Sequence, residues 1–306
     1  MSGLSLNIAA IDIGSNAIRL VIGAVEKPAR LRMLKKFREP VRLGHDVFLD
    51  GEISEKTEEK ALRAFGKFKE VMKKYEVRSC KAVATSACRE AKNKDAFVKR
   101  VYAETGIKIN IIDGIEEARL VHLAVQKEVD LSKKRAILID IGGGSVEVTF
   151  SEDGYLTATE SFRMGTVRLL ENLQKRKLKE EHLNILIGEF VEKLSKYLDS
   201  NSGEKLAFAV GTGGNIECLG RLKVQLLGKS PNTFVTSTEL AAINDKLRSI
   251  SVEDRITNLE MRPDRADVIV PASMVLQMIL RQAGVDKLLV PYVGLKDGIL
   301  WSTVQG

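Results

Sequence analysis

The chain has few of the residues on which disulfide-bonded or metal-stapled proteins depend. Its 306 residues include three cysteines, three histidines and one tryptophan, and aromatic residues make up only 5%. Cys80, Cys88 and Cys218 are odd in number and lack metal-ligand spacing, which argues against a disulfide framework and fits a reducing cytoplasm. The longest apolar stretch, Val268–Leu280, contains proline, serine and glutamine and is too short to span a bilayer. Because the N-terminus also lacks a signal-peptide pattern, the sequence predicts a cytoplasmic location.

The net charge of +7 is unevenly distributed along the chain. Residues 1–122 contain 24 Lys and Arg against 17 Asp and Glu, whereas residues 123–306 contain 24 of each. Such asymmetry suggests an anionic partner for the first half: nucleic acid, an acidic membrane or a polyphosphate. A chain of this length favours two domains of ordinary size.

Two segments share one pattern, AIDIGSNAIRL at 10–20 and LIDIGGGSVEVTF at 138–150. In each, an apolar strand ends in Asp-Ile-Gly, and a turn of small residues leads directly into a β-branched strand. The N–H groups of such a turn form a nest for an anion, and glycine lets the anion approach. A neighbouring carboxylate would repel a phosphate unless a cation lies between them, so the pattern predicts Mg²⁺-phosphate binding. The candidate residues are Asp12, Gly14, Ser15 and Asn16 in the first copy and Asp140, Gly142, Gly143, Gly144 and Ser145 in the second.

The alternative is two ordinary β-hairpins, whose turns are often glycine-rich. A hairpin does not need an aspartate at the end of an apolar strand, and here both copies have one. We therefore favour phosphate binding.

Two further segments have the composition of phosphate chemistry. VGTGGN at 210–215 is a glycine-rich turn between a predicted strand and helix, and its Gly213 and Gly214 direct N–H groups at an anion. DGIEEARL at 113–120 opens a helix with Glu116 and Glu117. Acidic residues in a first turn are usually explained by the helix dipole, and this reading is strong for Glu116. A hydrolase also needs a carboxylate that orients or deprotonates water, and Glu117 is our candidate.

The predicted elements repeat a βββαβα order, with the same turn after the first strand of each repeat. They include a helix over 54–76 with Ser54 as its N-cap, a helix over 95–105 that Gly106 ends, and a helix over about 180–199. This predicts an α/β fold of two similar lobes around a central cleft. The linker is predicted in the VDLSKKR segment at 129–135, and the lobes are predicted as 1–124 and 125–306, with this segment at the start of the second. The last helix is a candidate to pack back on the N-terminal lobe.

The sequence resembles the exopolyphosphatase/guanosine pentaphosphate phosphohydrolase (Ppx/GppA) family, within the actin-like ATPase and sugar kinase superfamily of ribonuclease-H-like lobes. The resemblance covers nearly the whole chain. It rests on the two segments above, on DGIEEARL and VGTGGN, and on TSACREA at 85–91, RMGTVRL at 163–169, RADVIVPA at 265–272 and GLKDGIL at 294–300. Longer members add a C-terminal HD-like helical region, and this chain ends before it.

The resemblance implies roles for individual residues. Glu117 matches the catalytic base that activates water, and Glu147 matches a second residue needed for activity. Asp12, Asp140 and Glu147 would hold Mg²⁺ or another divalent cation, with K⁺ as a further candidate cofactor. Arg89 matches an arginine that meets phosphate, beside the three glycine-rich loops. Departures from the pattern are Ala17, Cys88 and Val146, where Ser or Thr, Leu and Thr are common.

The expected reaction is hydrolysis of the terminal phosphoanhydride of inorganic polyphosphate, of guanosine pentaphosphate (pppGpp), or of both, by a homodimer. Nucleic acid and membrane are not expected as partners. Three alternatives remain open: a phosphotransferase of the sugar kinase branch, a nonenzymatic sensor of polyphosphate or alarmone, and a filament-forming relative of actin.

A basic segment follows the second strand. Arg30, Arg32, Lys36, Arg38 and Arg42 occupy even positions, so strand alternation predicts one basic face. Such a face is either a solvated surface or a track for a polyanion.

Overall fold

The computed structural model describes residues 6–26 and 30–305, and the chain divides into two units. Unit 1 is Met1–Ala124 together with Gly294–Gly306, and unit 2 is Val125–Val293. The last helix, α14 (Leu295–Gln305), packs against the first sheet, so the chain returns to unit 1 at its end. Unit 1 holds 25 Lys and Arg against 18 Asp and Glu, so the whole positive excess lies there.

Unit 1 is a five-stranded sheet with helices. Its sheet has the order β3-β2-β1-β4-β5, in which β1, β2 and β3 are antiparallel and β1, β4 and β5 are parallel. Besides α14, its elements are β1 (Leu6–Ile13), β2 (Ile18–Glu26), β3 (Arg30–Glu39), α1 (Leu43–Asp50), α2 (Glu55–Lys74), β4 (Ser79–Ala84), α3 (Ser86–Glu90), α4 (Lys94–Thr105), β5 (Ile109–Ile111) and α5 (Gly114–Val125).

Unit 2 repeats this plan and adds an edge strand. Its sheet has the order β10-β11-β9-β6-β7-β8, in which β6, β9 and β11 are parallel. Its elements are β6 (Arg135–Ile141), β7 (Val146–Glu152), β8 (Tyr155–Phe162), α6 (Thr166–Lys175), α7 (Leu183–Gly188), α8 (Val191–Ser200), β9 (Phe208–Thr212), α9 (Gly214–Leu227), β10 (Phe234–Thr236), α10 (Ser237–Arg248), α11 (Val252–Thr257), α12 (Pro263–Ala266), α13 (Ile269–Gln282) and β11 (Lys287–Leu289).

The central strands explain why the two loops resemble each other. β1 and β6 are buried along nearly their whole length, because each has a strand on both sides and helices on its faces. This accounts for their continuous apolar sequences. Each then turns through four residues into an antiparallel neighbour, with closing pairs Ile13–Ile18 and Ile141–Val146. The duplicated α/β topology predicted from the sequence is therefore present.

The helices form where local signals and packing agree. Ser54 caps α2, accepting a hydrogen bond from the backbone N–H of Thr57, and Gly106 ends α4 in a left-handed conformation at φ 75°. Both ends follow the sequence prediction. α13 is the central helix of unit 2 and is buried on most sides, which explains why apolar residues predominate all round it.

The predicted basic face of β3 is wrong. A β-bulge inserts Leu34 between the residues paired with Ile22 and Gly23, and this reverses the alternation downstream. Arg30 and Arg32 therefore lie on one face of the strand, and Lys36 and Arg38 on the other. β3 also ends at Glu39, and Arg42 caps α1 in a left-handed conformation.

The helix predicted over 180–199 is also wrong as a single element. The structure has a short 3-10 turn at Glu180–His182, then α7, and then α8 after a break at Glu189 and Phe190. The short helices α1, α3, α11 and α12 and the edge strand β10 were not predicted.

Candidate active site

In unit 1 the first glycine-rich turn closes the β1–β2 hairpin. Asp12 is buried, and its Oδ2 accepts a hydrogen bond from the guanidinium of Arg19 at 2.7 Å. The two residues are cross-strand partners in register. The predicted metal role of Asp12 therefore competes with an ion pair that this carboxylate already makes.

The turn Gly14–Asn16 is held from two sides. The Ser15 hydroxyl lies 3.0 Å from that of Ser86 at the start of α3, and the Ser15 carbonyl accepts a hydrogen bond from Gly44 N–H at 2.8 Å. A Cβ on Gly44 would lie 2.8 Å from that of Ser15, so only glycine fits there. Asn16 is also buried. The turn is thus rigidly packed.

Arg89 and Glu117 come from the elements that follow β4 and β5. Arg89 lies on α3, half-buried, and its guanidinium donates to the Ile112 carbonyl just before α5. Glu117 lies in the first turns of α5 and is only 6% exposed.

The two adjacent glutamates of α5 have different environments. Glu116 makes a bidentate ion pair with Arg119 at 2.6 and 2.8 Å, and hydrogen bonds from that guanidinium lower the pKa of Glu116. Glu117 lies on the buried side of the helix. Glu116 is accounted for by this surface pair, which leaves Glu117 as the candidate for chemistry.

In unit 2 two carboxylates occupy the corresponding hairpin. Asp140 and Glu147 are cross-strand partners of β6 and β7, they are 8% and 1% exposed, and a carboxylate oxygen of each lies within 4.8 Å of the other. The Thr212 hydroxyl donates to Asp140 at 2.7 Å, and the Ser161 hydroxyl donates to Glu147 at 2.7 Å. Two buried like charges so close together require a cation or a proton.

The second glycine-rich turn is fixed through its carbonyls. Thr166 N–H donates to Gly142 at 3.1 Å, Arg168 N–H to Gly143 at 3.0 Å, and the Arg168 guanidinium to Gly144 at 2.7 Å. These donors belong to the start of α6, whose first N–H groups would otherwise lack partners. Because these three carbonyls point towards α6, the N–H groups in the same peptide planes, those of Gly143, Gly144 and Ser145, face the other way, as an anion nest requires. The N–H of Gly142 instead closes the turn by donating to the Ser145 carbonyl at 3.0 Å.

Close packing explains the glycine before α6. A Cβ on Gly165 would lie 2.3 Å from the backbone of Gly144, so no side chain fits between the turn and the helix. Ser145, the last residue of the turn, is 3% exposed.

The third loop lies against the second within unit 2. Gly213 has a φ of 88°, and a Cβ there would lie 3.0 Å from Asp140 Oδ1. A Cβ on Gly214 would lie 2.6 Å from Arg265, whose guanidinium donates to the side chain of Asn215. In contrast, Gly14, Gly142 and Gly214 do not have left-handed backbones, so close packing rather than positive φ explains glycine there.

Sequence reasoning missed four supporting residues of the two hairpins: Arg19, Ser161, Arg168 and Thr212. A signal for the first was present, because Arg19 and Glu147 each follow the hairpin aspartate by seven residues. Arg168 and Thr212 lie within the RMGTVRL and VGTGGN segments, but their roles, like that of Ser161, depend on tertiary hydrogen bonds that the sequence does not show.

Comparison with known proteins gives the family. The sequence matches the Ppx/GppA phosphatase family over residues 21–306. The chain belongs to this family. The match begins within β2, so β1 and the first glycine-rich turn precede it.

Individual Ppx/GppA relatives extend this result. The bifunctional 3-dehydroquinate synthase/phosphatase of Fusobacterium nucleatum is 33% identical over 97% of this chain, which spans 46% of that relative. Exopolyphosphatase 1 of Mycobacterium leprae is 24% identical over 96% of this chain and 88% of its own length. The crystal structure of the Aquifex aeolicus Ppx/GppA family member has 27% identity and a TM-score of 0.79, with 98% of both chains covered. The chain therefore has the fold of this Ppx/GppA family member, and the predicted α/β fold of two similar lobes is confirmed.

Within the described ranges 6–26 and 30–305, no helix is both long and apolar enough to cross a bilayer.

Proposed function

We propose that this member of the Ppx/GppA family hydrolyses the terminal phosphoanhydride of inorganic polyphosphate and releases orthophosphate, with pppGpp as the other candidate substrate. The observation that carries the proposal is the buried Asp140–Glu147 pair beside a turn whose first three carbonyls, those of residues 142–144, are engaged by residues at the start of α6. Together they offer a cation site and an anion nest side by side, which is what a metal-bound phosphate needs.

The donor set fits Mg²⁺. Mg²⁺ prefers oxygen ligands and is commonly held by one or two carboxylates together with substrate phosphates. Asp140 and Glu147 would hold it, and the hydroxyls of Thr212 and Ser161 orient these carboxylates. When bound, the metal would neutralise charge on the phosphate oxygens. Asp12 is the weaker candidate ligand, because Arg19 already neutralises it.

The turns would position the phosphate chain. The N–H groups of Gly143, Gly144 and Ser145 would bind the terminal phosphate, and those of Gly213 and Gly214 would bind beside them. The N–H of Gly142 already donates to the Ser145 carbonyl at 3.0 Å, so Gly142 would shape the turn rather than bind phosphate. In unit 1, Gly14, Ser15 and Asn16 and the guanidinium of Arg89 are likewise proposed to bind phosphate. Binding of this kind contributes through orientation and charge, the main contributions in phosphoryl transfer.

Glu117 is the proposed general base. Its carboxylate would accept a proton from the attacking water, whose oxygen forms a bond to the terminal phosphorus as the bridging oxygen leaves with the shortened chain. Its burial favours this role over that of Glu116, which is occupied by Arg119.

The polyphosphate assignment has support from relatives and from charge. The Mycobacterium leprae relative is named an exopolyphosphatase, and the Fusobacterium relative carries a phosphatase. The +7 excess on unit 1 suits a long polyanion more than a single nucleotide.

Phosphate release tests the function directly. We expect Mg²⁺-dependent orthophosphate release from long polyphosphate, tripolyphosphate and pppGpp to exceed that from ATP. Release should stop when EDTA removes the metal. Tight polyphosphate binding without any release, with or without Mg²⁺, would instead indicate a sensor and would contradict hydrolysis.

Association into a homodimer, a role for K⁺ and a cytoplasmic location are further parts of the proposal. Sedimentation of the purified chain and exchange of K⁺ for Na⁺ in the release assay test the first two.

A further inference from the structure

A cavity lies in unit 2, in the helical layer around α13 and apart from the glycine-rich turns. Its volume is about 770 Å³, within the range of small-molecule sites. It opens between α7 and α8 on one side and α10 on the other, and α13 forms its floor. The proposed reaction uses no residue of this cavity.

The floor combines apolar surface with a buried amide. Met274 and Met278 lie one turn apart on α13 and are 7% and 5% exposed. Methionine side chains adapt to ligands of differing shape. Beside them Asn244, 4% exposed, accepts a hydrogen bond from Ser273 at 2.7 Å and donates to Gln277 at 3.2 Å. A fixed polar network within an apolar wall is typical of a ligand pocket.

Two cations border this cavity. Arg248 ends α10 and Arg281 lies in the last turn of α13, and both are exposed. Within the described part of the chain neither guanidinium has an ion-pair or hydrogen-bond partner. The one carboxylate of the lining, Asp286, accepts a hydrogen bond from Ser237 N–H. The rim is therefore net positive.

Topology separates this cavity from the phosphate turns. Asp140 and Thr212 lie at the carboxyl ends of the parallel strands β6 and β9. Residues 284–286 of the lining come just before β11, so they lie at the amino ends of the same set of parallel strands. β6 has seven residues and is about 20 Å long. A ligand in the cavity would not reach the carboxylates.

We propose that this cavity is a second binding site of the chain, which takes a small organic anion with an apolar body: rings or a short acyl chain over Met274 and Met278, and one acidic group between Arg248 and Arg281. This goes beyond the proposed hydrolysis and does not depend on it.

The probe is 8-anilinonaphthalene-1-sulfonate, an apolar ring system with one sulfonate, and the matched neutral probe is 1-anilinonaphthalene. We expect saturable binding of one sulfonate probe per chain, followed by its fluorescence. Replacing both surface arginines, Arg248→Gln with Arg281→Gln, should weaken the sulfonate probe at least ten-fold and change the neutral probe less than two-fold. Charged hydrogen bonds of this kind justify the ten-fold figure.

A filling variant tests the apolar part. Gly188 lines the cavity at the end of α7, and a Cβ there meets nothing within 4 Å, so Gly188→Phe should weaken both probes at least ten-fold. The control is Gly66→Phe in α2, where a Cβ also meets nothing and both affinities should be unchanged. If Gly188→Phe does not fold, the double arginine variant still tests whether the sulfonate probe binds in this cavity.

The proposal would be overturned by any of three results. These are displacement of the sulfonate probe by tripolyphosphate with Mg²⁺, an unchanged affinity in the double arginine variant, or an unchanged affinity in a folded Gly188→Phe variant. A fourth result would overturn it as well: loss of probe binding as the protein concentration rises, because a second copy of the chain would then cover the cavity.

Discussion

Replacing Glu147 by glutamine should stabilise the metal-free protein and abolish its activity. Asp140 and Glu147 bring two carboxylate oxygens within 4.8 Å in a buried environment. At an effective dielectric constant of about 20, two unit charges at that distance repel by about 3 kcal/mol. Glutamine removes one charge and keeps the shape, and its carbonyl can still accept the hydrogen bond from Ser161. The hydrogen bond to the neutral amide is weaker than the bond to the carboxylate, and this difference offsets about 1 kcal/mol of the stabilisation.

With both carboxylates ionised, the net gain in the free energy of unfolding is therefore about 2 kcal/mol without metal, and a proton shared by the pair in EDTA would reduce it. For a unit of this size it corresponds to a Tm increase of about 4–8 °C. With Mg²⁺ the wild type, rather than Glu147→Gln, is expected to be the more stable protein. A ligand at 100 times its Kd stabilises the wild type by about 2.7 kcal/mol, and Glu147→Gln loses this contribution because it lacks the second carboxylate.

The assay is thermal unfolding in EDTA and in MgCl₂, together with phosphate release from tripolyphosphate. Asp12→Asn is the matched control, since it neutralises the equivalent aspartate of unit 1. There the partner is Arg19, so the change breaks an ion pair and should lower stability by about 1–3 kcal/mol in EDTA. A lower Tm for Glu147→Gln in EDTA, or the same Mg²⁺-induced Tm shift as in wild type, would refute the reasoning.

Three further changes test the remaining parts of the site. Glu117→Gln removes the proposed base and should lower kcat by about 10²–10⁴-fold with little change in tripolyphosphate binding; a kcat within a few-fold of wild type at saturating substrate and Mg²⁺ would exclude this role. Gly143→Val should leave the Tm nearly unchanged but weaken tripolyphosphate binding, measured by calorimetry, because a side chain would block the approach of phosphate; normal affinity in a folded variant would show that the nest is misplaced. Arg168→Met removes the hydrogen bond to the Gly144 carbonyl and should raise KM for tripolyphosphate more than it lowers kcat, with Arg168→Lys partly restoring KM; equal KM in all three proteins would assign Arg168 to stability alone.

The fold was predictable to the extent that strong local patterns specify it. Apolar strands ending in Asp-Ile-Gly, followed by β-branched strands, indicated both hairpins and therefore the duplication. The ends of α2 and α4 followed from Ser54 and Gly106, whose capping geometry is local. α1 was not predicted because its eight residues are too few to show a clear helical period, and because its N-cap Arg42 makes no side-chain capping bond.

The bulge in β3 shows where pattern reasoning fails. Strand alternation assumes a regular ladder, and neither glycine nor proline marks the insertion at Leu34. The pairing with β2 decides the face of each basic residue, and pairing is a tertiary property. As a result the charges of Arg30 and Arg32 are separated from those of Lys36 and Arg38, which removes the geometric basis for a single anion track along this strand.

The candidate site was predictable by residue type and less so by role. Four-residue turns of equal length in the two hairpins place the residue seven positions after the aspartate directly opposite it. In unit 1 that residue is Arg19, which neutralises Asp12, and in unit 2 it is Glu147, which adds a second negative charge to Asp140. The same backbone geometry thus carries an ion pair in one copy and two adjacent carboxylates in the other. Two adjacent carboxylates bind a divalent cation better than a carboxylate that is already paired with a guanidinium. We therefore expect the metal to bind at the hairpin of unit 2, whereas the hairpin of unit 1 carries the guanidinium charge of Arg19.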